Sequence, residues 1–63
     1  MSTHFLDIAN KIRDLQAILA EYENSLYEAE RKGDTAAAMR LRRLIEETKN
    51  KIDGMRNSPY YNG

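Results

Sequence analysis

Three arginines, Arg40, Arg42 and Arg43, are the residues whose type and spacing most suggest chemistry. A basic cluster of this kind can contact the phosphates of a nucleic acid, so a small nucleic-acid-binding or regulatory dimer is one hypothesis. Two observations oppose it. The ten basic and ten acidic residues give a formal net charge of +0, and no aromatic residue lies among the arginines. We therefore favour a solvated face that pairs with acidic residues of the preceding helix.

Residue sets that support catalysis or metal binding do not occur in the sequence. There is no cysteine, no glycine-rich phosphate loop, and no serine, histidine and aspartate set with plausible geometry. The carboxylates of Glu46 and Glu47, or of Glu21 and Glu23, do not face each other on a helix. The single histidine, His4, is expected to be solvated, and no Glu-x-x-His pair is present. We expect no enzyme activity, no cofactor and no metal.

The arginines belong to the second of two helical patterns, which Gly33 and Asp34 separate. Glycine is common just past a helix C-terminus because it adopts positive φ without strain, and aspartate is a preferred N-cap. Arg31 and Lys32 place positive charge where the dipole of the first helix favours it. A stop signal followed directly by a start signal predicts a short connection between antiparallel helices. The alternative, one long helix with a defect, conflicts with the shift of heptad phase at this point.

The first helix is predicted from about residue 3 to residue 32. Its apolar residues recur at alternating steps of three and four, which is the seam of a coiled coil. The a positions are Phe5, Ile12, Leu19 and Leu26, and the d positions are Ile8, Leu15, Tyr22 and Ala29. Because the seam ends on an alanine, the two helices are expected to approach closely near the turn.

The second helix is predicted from about residue 35 to residue 56, with a tail over residues 57–63. Its stripe is Ala38, Leu41, Ile45, Thr48, Ile52 and Met55. Thr48 interrupts this stripe, and its hydroxyl is expected to bond to the backbone of its own helix. Folding at Gly33 and Asp34 pairs small with small, as in Ala29 with Ala38, and large with large farther out. The agreement predicts an all-α fold over residues 1–63, an antiparallel two-helix hairpin of coiled-coil type.

Apolar residues remain beside the seam, at Leu6, Ile18, Tyr27, Ala37 and Leu44. A chain of 63 residues without disulfides has a marginal core. Self-association is therefore expected, as a dimer that forms a four-helix bundle and covers this second stripe. Docking onto a different protein is the alternative. We assign the interface to a face bearing Ile18, Tyr27 and Leu44.

The tail carries two adjacent aromatic residues, Tyr60 and Tyr61. The first helix is longer than the second by about two turns, so Phe5 and Ile8 lack a partner on the second helix. We predict that one tyrosine folds back onto them. The compatible alternative is that the tyrosines form a recognition tail, because aromatic residues are common interface anchors.

A further pattern covers roughly residues 22–45. It consists of spaced apolar residues, a small residue, an aspartate at the turn, small residues again, and then Leu-Arg and Ile. The positions are Leu26, Ala29, Asp34, Ala38, Leu41, Arg42 and Ile45. This pattern resembles the UVR motif, a helical hairpin of nucleotide-excision-repair proteins and of some adaptors of bacterial proteolysis. The chain departs from it at Thr35, usually aromatic, and at Met39, usually alanine. Any tight antiparallel hairpin would also suit most of the matching positions. The resemblance implies a docking module that pairs with another hairpin.

The expected function is non-enzymatic protein–protein interaction, through self-association or through docking onto one partner protein in the manner of an adaptor. A small structural or inhibitory protein of phage type is a further alternative. No apolar run approaches the roughly 20 residues that span a bilayer, and no signal peptide is recognisable. We therefore expect a cytoplasmic protein without membrane contact.

Overall fold

The computed structural model describes residues 3–57, and for residues 3–5 it describes the backbone alone. Two helices make up this range, α1 over Thr3–Lys32 and α2 over Thr35–Arg56. They pack against each other, and no strand occurs in the part of the chain described. The molecule measures 49 × 14 × 11 Å, which is the shape of a thin rod. The predicted all-α hairpin is confirmed.

Two backbone hydrogen bonds close the turn on its α1 side. Gly33 has a φ of 74°, and its N–H donates to the carbonyl oxygen of Glu30 at 3.1 Å. The N–H of Asp34 donates to the carbonyl oxygen of Ala29 at 2.8 Å. These two bonds form a Schellman motif, which satisfies carbonyls that the helix leaves without a partner. A Cβ added at Gly33 would meet no atom within 4 Å, so the backbone conformation, and not space, requires glycine.

The next residue, Asp34, starts α2. Its carboxylate Oδ1 accepts a hydrogen bond from the N–H of Ala37 at 3.2 Å, and its carbonyl oxygen accepts one from Ala38 at 3.0 Å. This is N-cap geometry, with the side chain satisfying a free N–H of the first turn. The C-terminal motif of α1 and the N-cap of α2 thus use adjacent residues, and no further residue lies between them.

The core is one seam between the helices. The buried residues are Ile12 and Ala29 from α1 and Ala38, Ile45, Thr48 and Ile52 from α2. The half-buried residues of the seam are Ile8, Leu15, Leu19, Tyr22, Leu26, Leu41 and Met55. Among the described side chains, none falls below 2% exposure. Two helices therefore cover the predicted stripe but exclude water from no side chain completely.

Thr48, the polar residue of the seam, has its hydrogen bond. Its Oγ1 donates to the carbonyl oxygen of Leu44 at 2.7 Å, as predicted. No buried side-chain polar atom of the described residues lacks a partner. The side chains of Phe5 and His4 and the whole of Tyr60 and Tyr61 lie outside the described part, so the predicted contact of the tail with α1 stays a prediction.

Candidate functional site

Two long faces flank the seam, and different residues line them. On one side, Lys11 and Lys51 border the same depression, and Ser25 and Ala37 border another nearer the turn. On the other side, Gln16 and Arg56 border one depression, and Glu30 and Arg42 border another. We call the first side the apolar face, defined by Lys11, Ile18 and Ser25 of α1 and Ala37, Leu44 and Lys51 of α2. The second is the charged face, defined by Gln16, Glu23 and Glu30 of α1 and Arg42, Lys49 and Arg56 of α2.

Ile18 of α1 and Leu44 of α2 both lie on the apolar face. Ile18 is seven residues from Lys11 and seven from Ser25, and Leu44 is seven residues from Lys51 and seven from Ala37. Seven residues are about two turns, so these spacings keep the direction of the side chain and move it along the helix. Both residues therefore lie on the apolar face, but the register that pairs Ala29 with Ala38 places Ile18 about five residues, or about 7.5 Å, farther from the turn than Leu44.

Both residues remain accessible although they adjoin the seam. Ile18 is 38% exposed and Leu44 is 37% exposed, whereas Ile45, beside Leu44 in sequence, is 8% exposed. Residues three or four positions away are neighbours on a helix surface. On the seam side these are Leu15 and Tyr22 for Ile18, and Leu41 for Leu44, all half-buried. The five form a continuous apolar strip across both helices.

Charged residues border this strip on its outer edges. Asp14 and Glu21 lie one turn to either side of Ile18 on α1, and Arg40 and Glu47 lie one turn to either side of Leu44 on α2. All four are exposed. Toward the open end of the hairpin, Lys11 and Lys51 line one depression together with Asp14. The apolar face therefore carries two lysines and one carboxylate at this end.

The charged face shows the opposite arrangement. Arg42 donates to Glu30 in an ion pair that bridges the two helices, with both side chains about half exposed. One heptad farther from the turn, Glu23 and Lys49 hold the equivalent heptad positions. Opposite charges thus meet across this face in the pair of Glu30 and Arg42. An exposed ion pair contributes little to stability, but each of its two charges already has a partner within the chain.

Tyr27 does not share a face with Ile18 and Leu44, so the predicted single face with all three residues is wrong. Nine residues separate Ile18 from Tyr27 along α1, which is about two and a half turns, so their side chains point to opposite sides. Tyr27 is 65% exposed and lies next to Glu30 on the outer edge of the charged face. Sequence reasoning also missed Met39, 63% exposed, which lies beside Arg42 on the same edge.

The three arginines point in different directions. Arg42 belongs to the charged face and pairs with Glu30, which confirms the predicted contact with the acidic half of α1. Arg40 is two residues away, about 200° around the helix, and borders the apolar face. Arg43 is exposed on the outer side of α2. The arrangement therefore disperses the positive charge around α2 and does not concentrate it in a patch.

The described residues of the hairpin give little support for other kinds of functional site. Within residues 3–57, no group of three or more histidine, cysteine, aspartate or glutamate side chains is placed to hold a metal ion. Neither α1 nor α2 has the length and apolar character needed to cross a membrane. Comparisons with protein-family models, with curated proteins and with solved structures find no match for this chain. The strip around Ile18 and Leu44 is the candidate site.

Proposed function

We propose that this chain is a non-enzymatic protein–protein interaction module that associates with a second copy of itself through the apolar face. The observation that carries the proposal is the position of Ile18 and Leu44. They lie on the same side of the seam, one on each helix and each more than a third exposed, inside an apolar strip that the hairpin alone does not cover. An apolar strip with a charged border is typical of a surface that packs against another protein.

The energetics support self-association. Full burial of a leucine or isoleucine side chain stabilises by about 1.5–3 kcal/mol, and roughly a third of that remains unrealised at Ile18 and at Leu44. A twofold dimer covers both residues in both copies at once, and it creates a second seam in a core that has only one. The resemblance to the UVR motif leads in the same direction, because it implies pairing between hairpins.

The first test is the absolute mass in solution, measured by light scattering on a sizing column over a wide range of concentrations. We expect the mass of a dimer that dissociates on dilution. Leu44→Gln should shift the protein toward the monomer. Met39→Gln is the matched control, because it makes a similar change on the same helix at the edge of the charged face and should leave the dimer intact.

Two results would overturn the proposal. One is a protein that is monomeric at every concentration and has full helical circular dichroism. The apolar strip would then be a surface for a different protein partner. The other is a dimer that Met39→Gln weakens as much as Leu44→Gln does. Nucleic-acid binding through Arg40, Arg42 and Arg43 is not proposed, because Arg42 already pairs with Glu30 and the three side chains share no face.

A further inference from the structure

We infer that the twofold axis of the dimer runs along the helices, so that α1 of each copy lies against α2 of its partner and both turns lie at the same end. This inference rests on the proposed self-association and adds the arrangement of the two copies. A twofold dimer that overlaps both helices along their length can be built in two ways. The charges at the outer edges of the apolar face distinguish these two ways.

A row of carboxylates follows the outer edge of the apolar face on α1. Acidic residues occur there at every seventh position, and all of them are exposed: Asp7, Asp14, Glu21 and Glu28. Seven residues are about two turns, so these side chains leave the helix in nearly the same direction. The row therefore extends over about 30 Å of the helix.

The corresponding edge of α2 carries positive charge. Arg40 lies one turn from Leu44 toward the turn, Lys51 lies one heptad from Leu44 toward the open end, and Glu47 lies between them. The whole helices differ in the same sense. Six acidic and four basic residues give α1 a formal charge of −2, whereas three acidic and six basic residues give α2 a formal charge of +3.

In the first arrangement the twofold axis crosses the helices, and the two copies are reversed end to end. α1 then lies against α1 of the partner, so the two carboxylate rows run beside each other. Because the row repeats every seven residues, sliding one copy along the other moves each carboxylate from one of the partner's carboxylates to the next and does not separate the rows. Arg40 can approach the partner's Glu47 on the α2 side, but the rows stay opposed.

In the second arrangement the axis runs along the helices, and every residue keeps its level along the rod. Contacts between the copies therefore follow from the register within one hairpin. The short turn pairs Ala29 with Ala38, and each further residue away from the turn on α1 matches one residue away from the turn on α2. The distance of a residue from this alanine pair thus gives its level.

Two pairs of opposite charge meet in the second arrangement. Glu28 is one residue farther from the turn than the alanine pair and Arg40 is two, so their levels differ by about 1.5 Å. Asp14 is fifteen residues from the alanine pair and Lys51 is thirteen, a difference of about 3 Å. Glu28 therefore approaches the partner's Arg40, and Asp14 approaches the partner's Lys51. The symmetry gives each of these contacts twice.

One like-charged contact remains in the second arrangement, between Glu21 and the partner's Glu47. Glu21 is eight residues from the alanine pair and Glu47 is nine, so they are nearly level. Lys51 lies one turn from Glu47 on the same helix and offsets part of its charge. Border charges add little affinity, but rows of like charge placed side by side disfavour an arrangement, so the charges select the second one.

The contact of Glu21 with the partner's Glu47 gives a charge test whose sign differs between the arrangements. Glu47→Arg should lower the dimer Kd about tenfold at low salt, because the new positive charge faces the partner's Glu21 twice. In the reversed arrangement the same change faces the partner's Arg40 and raises the Kd. Glu21→Arg should also lower the Kd, and the double variant should return it to near the original value. Glu46→Arg, at the edge of the charged face, is the matched control and should leave the Kd nearly unchanged.

Cysteine cross-linking tests the geometry directly, because the chain contains no cysteine of its own. A mixture of Glu28→Cys and Arg40→Cys should give a disulfide between the two variants on oxidation with diamide, since the bond needs Cα atoms within about 7 Å. Each variant alone should cross-link little, because the two copies of one residue lie on opposite edges of the bundle. A mixture of Tyr27→Cys and Met39→Cys, at the edges of the charged face, is the control and should stay largely uncross-linked.

The outcomes separate this inference from the proposed function. A protein that is monomeric at every concentration defeats both. A dimer in which Glu47→Arg weakens association, or in which Glu28→Cys and Arg40→Cys form no disulfide with each other, overturns the arrangement and leaves self-association standing. A disulfide between these two variants, together with tighter association for each single charge variant but not for the double variant, supports the axis along the helices.

Discussion

The apolar face and the charged face flank the same seam, yet they differ in where they find their partners. On the charged face, Glu30 pairs with Arg42 across the helices, so these two charges are matched within one chain. On the apolar face, Ile18 and Leu44 stay more than a third exposed, and Lys11 and Lys51 line one depression, so we propose that its complement comes from a second molecule. The difference teaches that the residues flanking a seam decide whether a helical hairpin is closed on that side or open to a partner.

The seam supports both faces, and breaking it should have the largest effect. Ile45→Ala removes a side chain that is 8% exposed and leaves a cavity, at a cost of about 2–4 kcal/mol in the free energy of unfolding. Urea denaturation followed by circular dichroism measures this. Met39→Ala, at an exposed position of the same helix, should cost well under 1 kcal/mol. Equal losses for the two variants would contradict the core described above.

The comparison between the faces is tested most directly on α1, with Ile18→Ser and Tyr27→Ser. Both remove a large apolar side chain from the same helix, but only Ile18 belongs to the apolar face. Ile18→Ser should raise the dimer Kd about 10- to 100-fold, because one substitution removes two buried side chains from a symmetric contact. Tyr27→Ser should change it less than about threefold. Sedimentation equilibrium measures the dimer Kd of both variants. A larger increase of the Kd for Tyr27→Ser than for Ile18→Ser would show that the interface lies on the side of Tyr27 and not on the apolar face.

The turn sets the register that produces the two faces, so it offers a smaller test. Gly33→Ala should lower the free energy of unfolding by about 1 kcal/mol, because alanine at a φ of 74° is strained. Gly54→Ala is the matched control inside α2, where an added Cβ meets no atom within 4 Å. It should raise the free energy of unfolding, by up to about 1 kcal/mol, through helix propensity. Thermal or urea unfolding should therefore show a lower free energy of unfolding for Gly33→Ala and a higher one for Gly54→Ala.

The smallest effect is expected from the charged face itself. Arg42→Gln breaks the exposed pair with Glu30 and should cost about 0.5 kcal/mol or less, with the difference shrinking at high salt. Arg43→Gln removes the same charge from the outer side of α2 and controls for net charge. The dimer Kd should respond to neither variant. A large change of the Kd for Arg42→Gln would mean that the charged face also takes part in association.

Much of the fold was predictable because its rules are local. The glycine stop, the aspartate cap and the three-and-four spacing specify the turn and the seam, and the hydrogen bond of Thr48 follows from its place inside a helix. The site was predicted only in part. The heptad pattern identifies Ile18 and Leu44 as apolar residues beside the seam. Residue type alone groups Tyr27 with them, but its nine-residue distance from Ile18 gives the opposite direction.

Other features needed the assembled hairpin. The pairing of Glu30 with Arg42 was predicted in kind, but which acidic side chain reaches which arginine depends on the register between the helices. The depression that Lys11 and Lys51 both line depends on the same register. Met39 escaped notice because a single apolar residue off the stripe carries no periodic signal. In the proposed dimer a second molecule covers the apolar strip, and the spacing within one chain does not describe that contact.

The shared turn of Gly33 and Asp34 also restricts how this hairpin can change in length. One helix ends and the next begins on adjacent hydrogen-bonded residues, so the connection holds no slack in which an inserted residue could be absorbed. A single insertion within α2 would rotate everything beyond it by about 100° and carry the apolar strip out of line. Lengthening without loss of either face requires seven residues added to both helices at matching levels. Length variants of this chain that keep both faces are therefore expected to differ by seven residues in each helix.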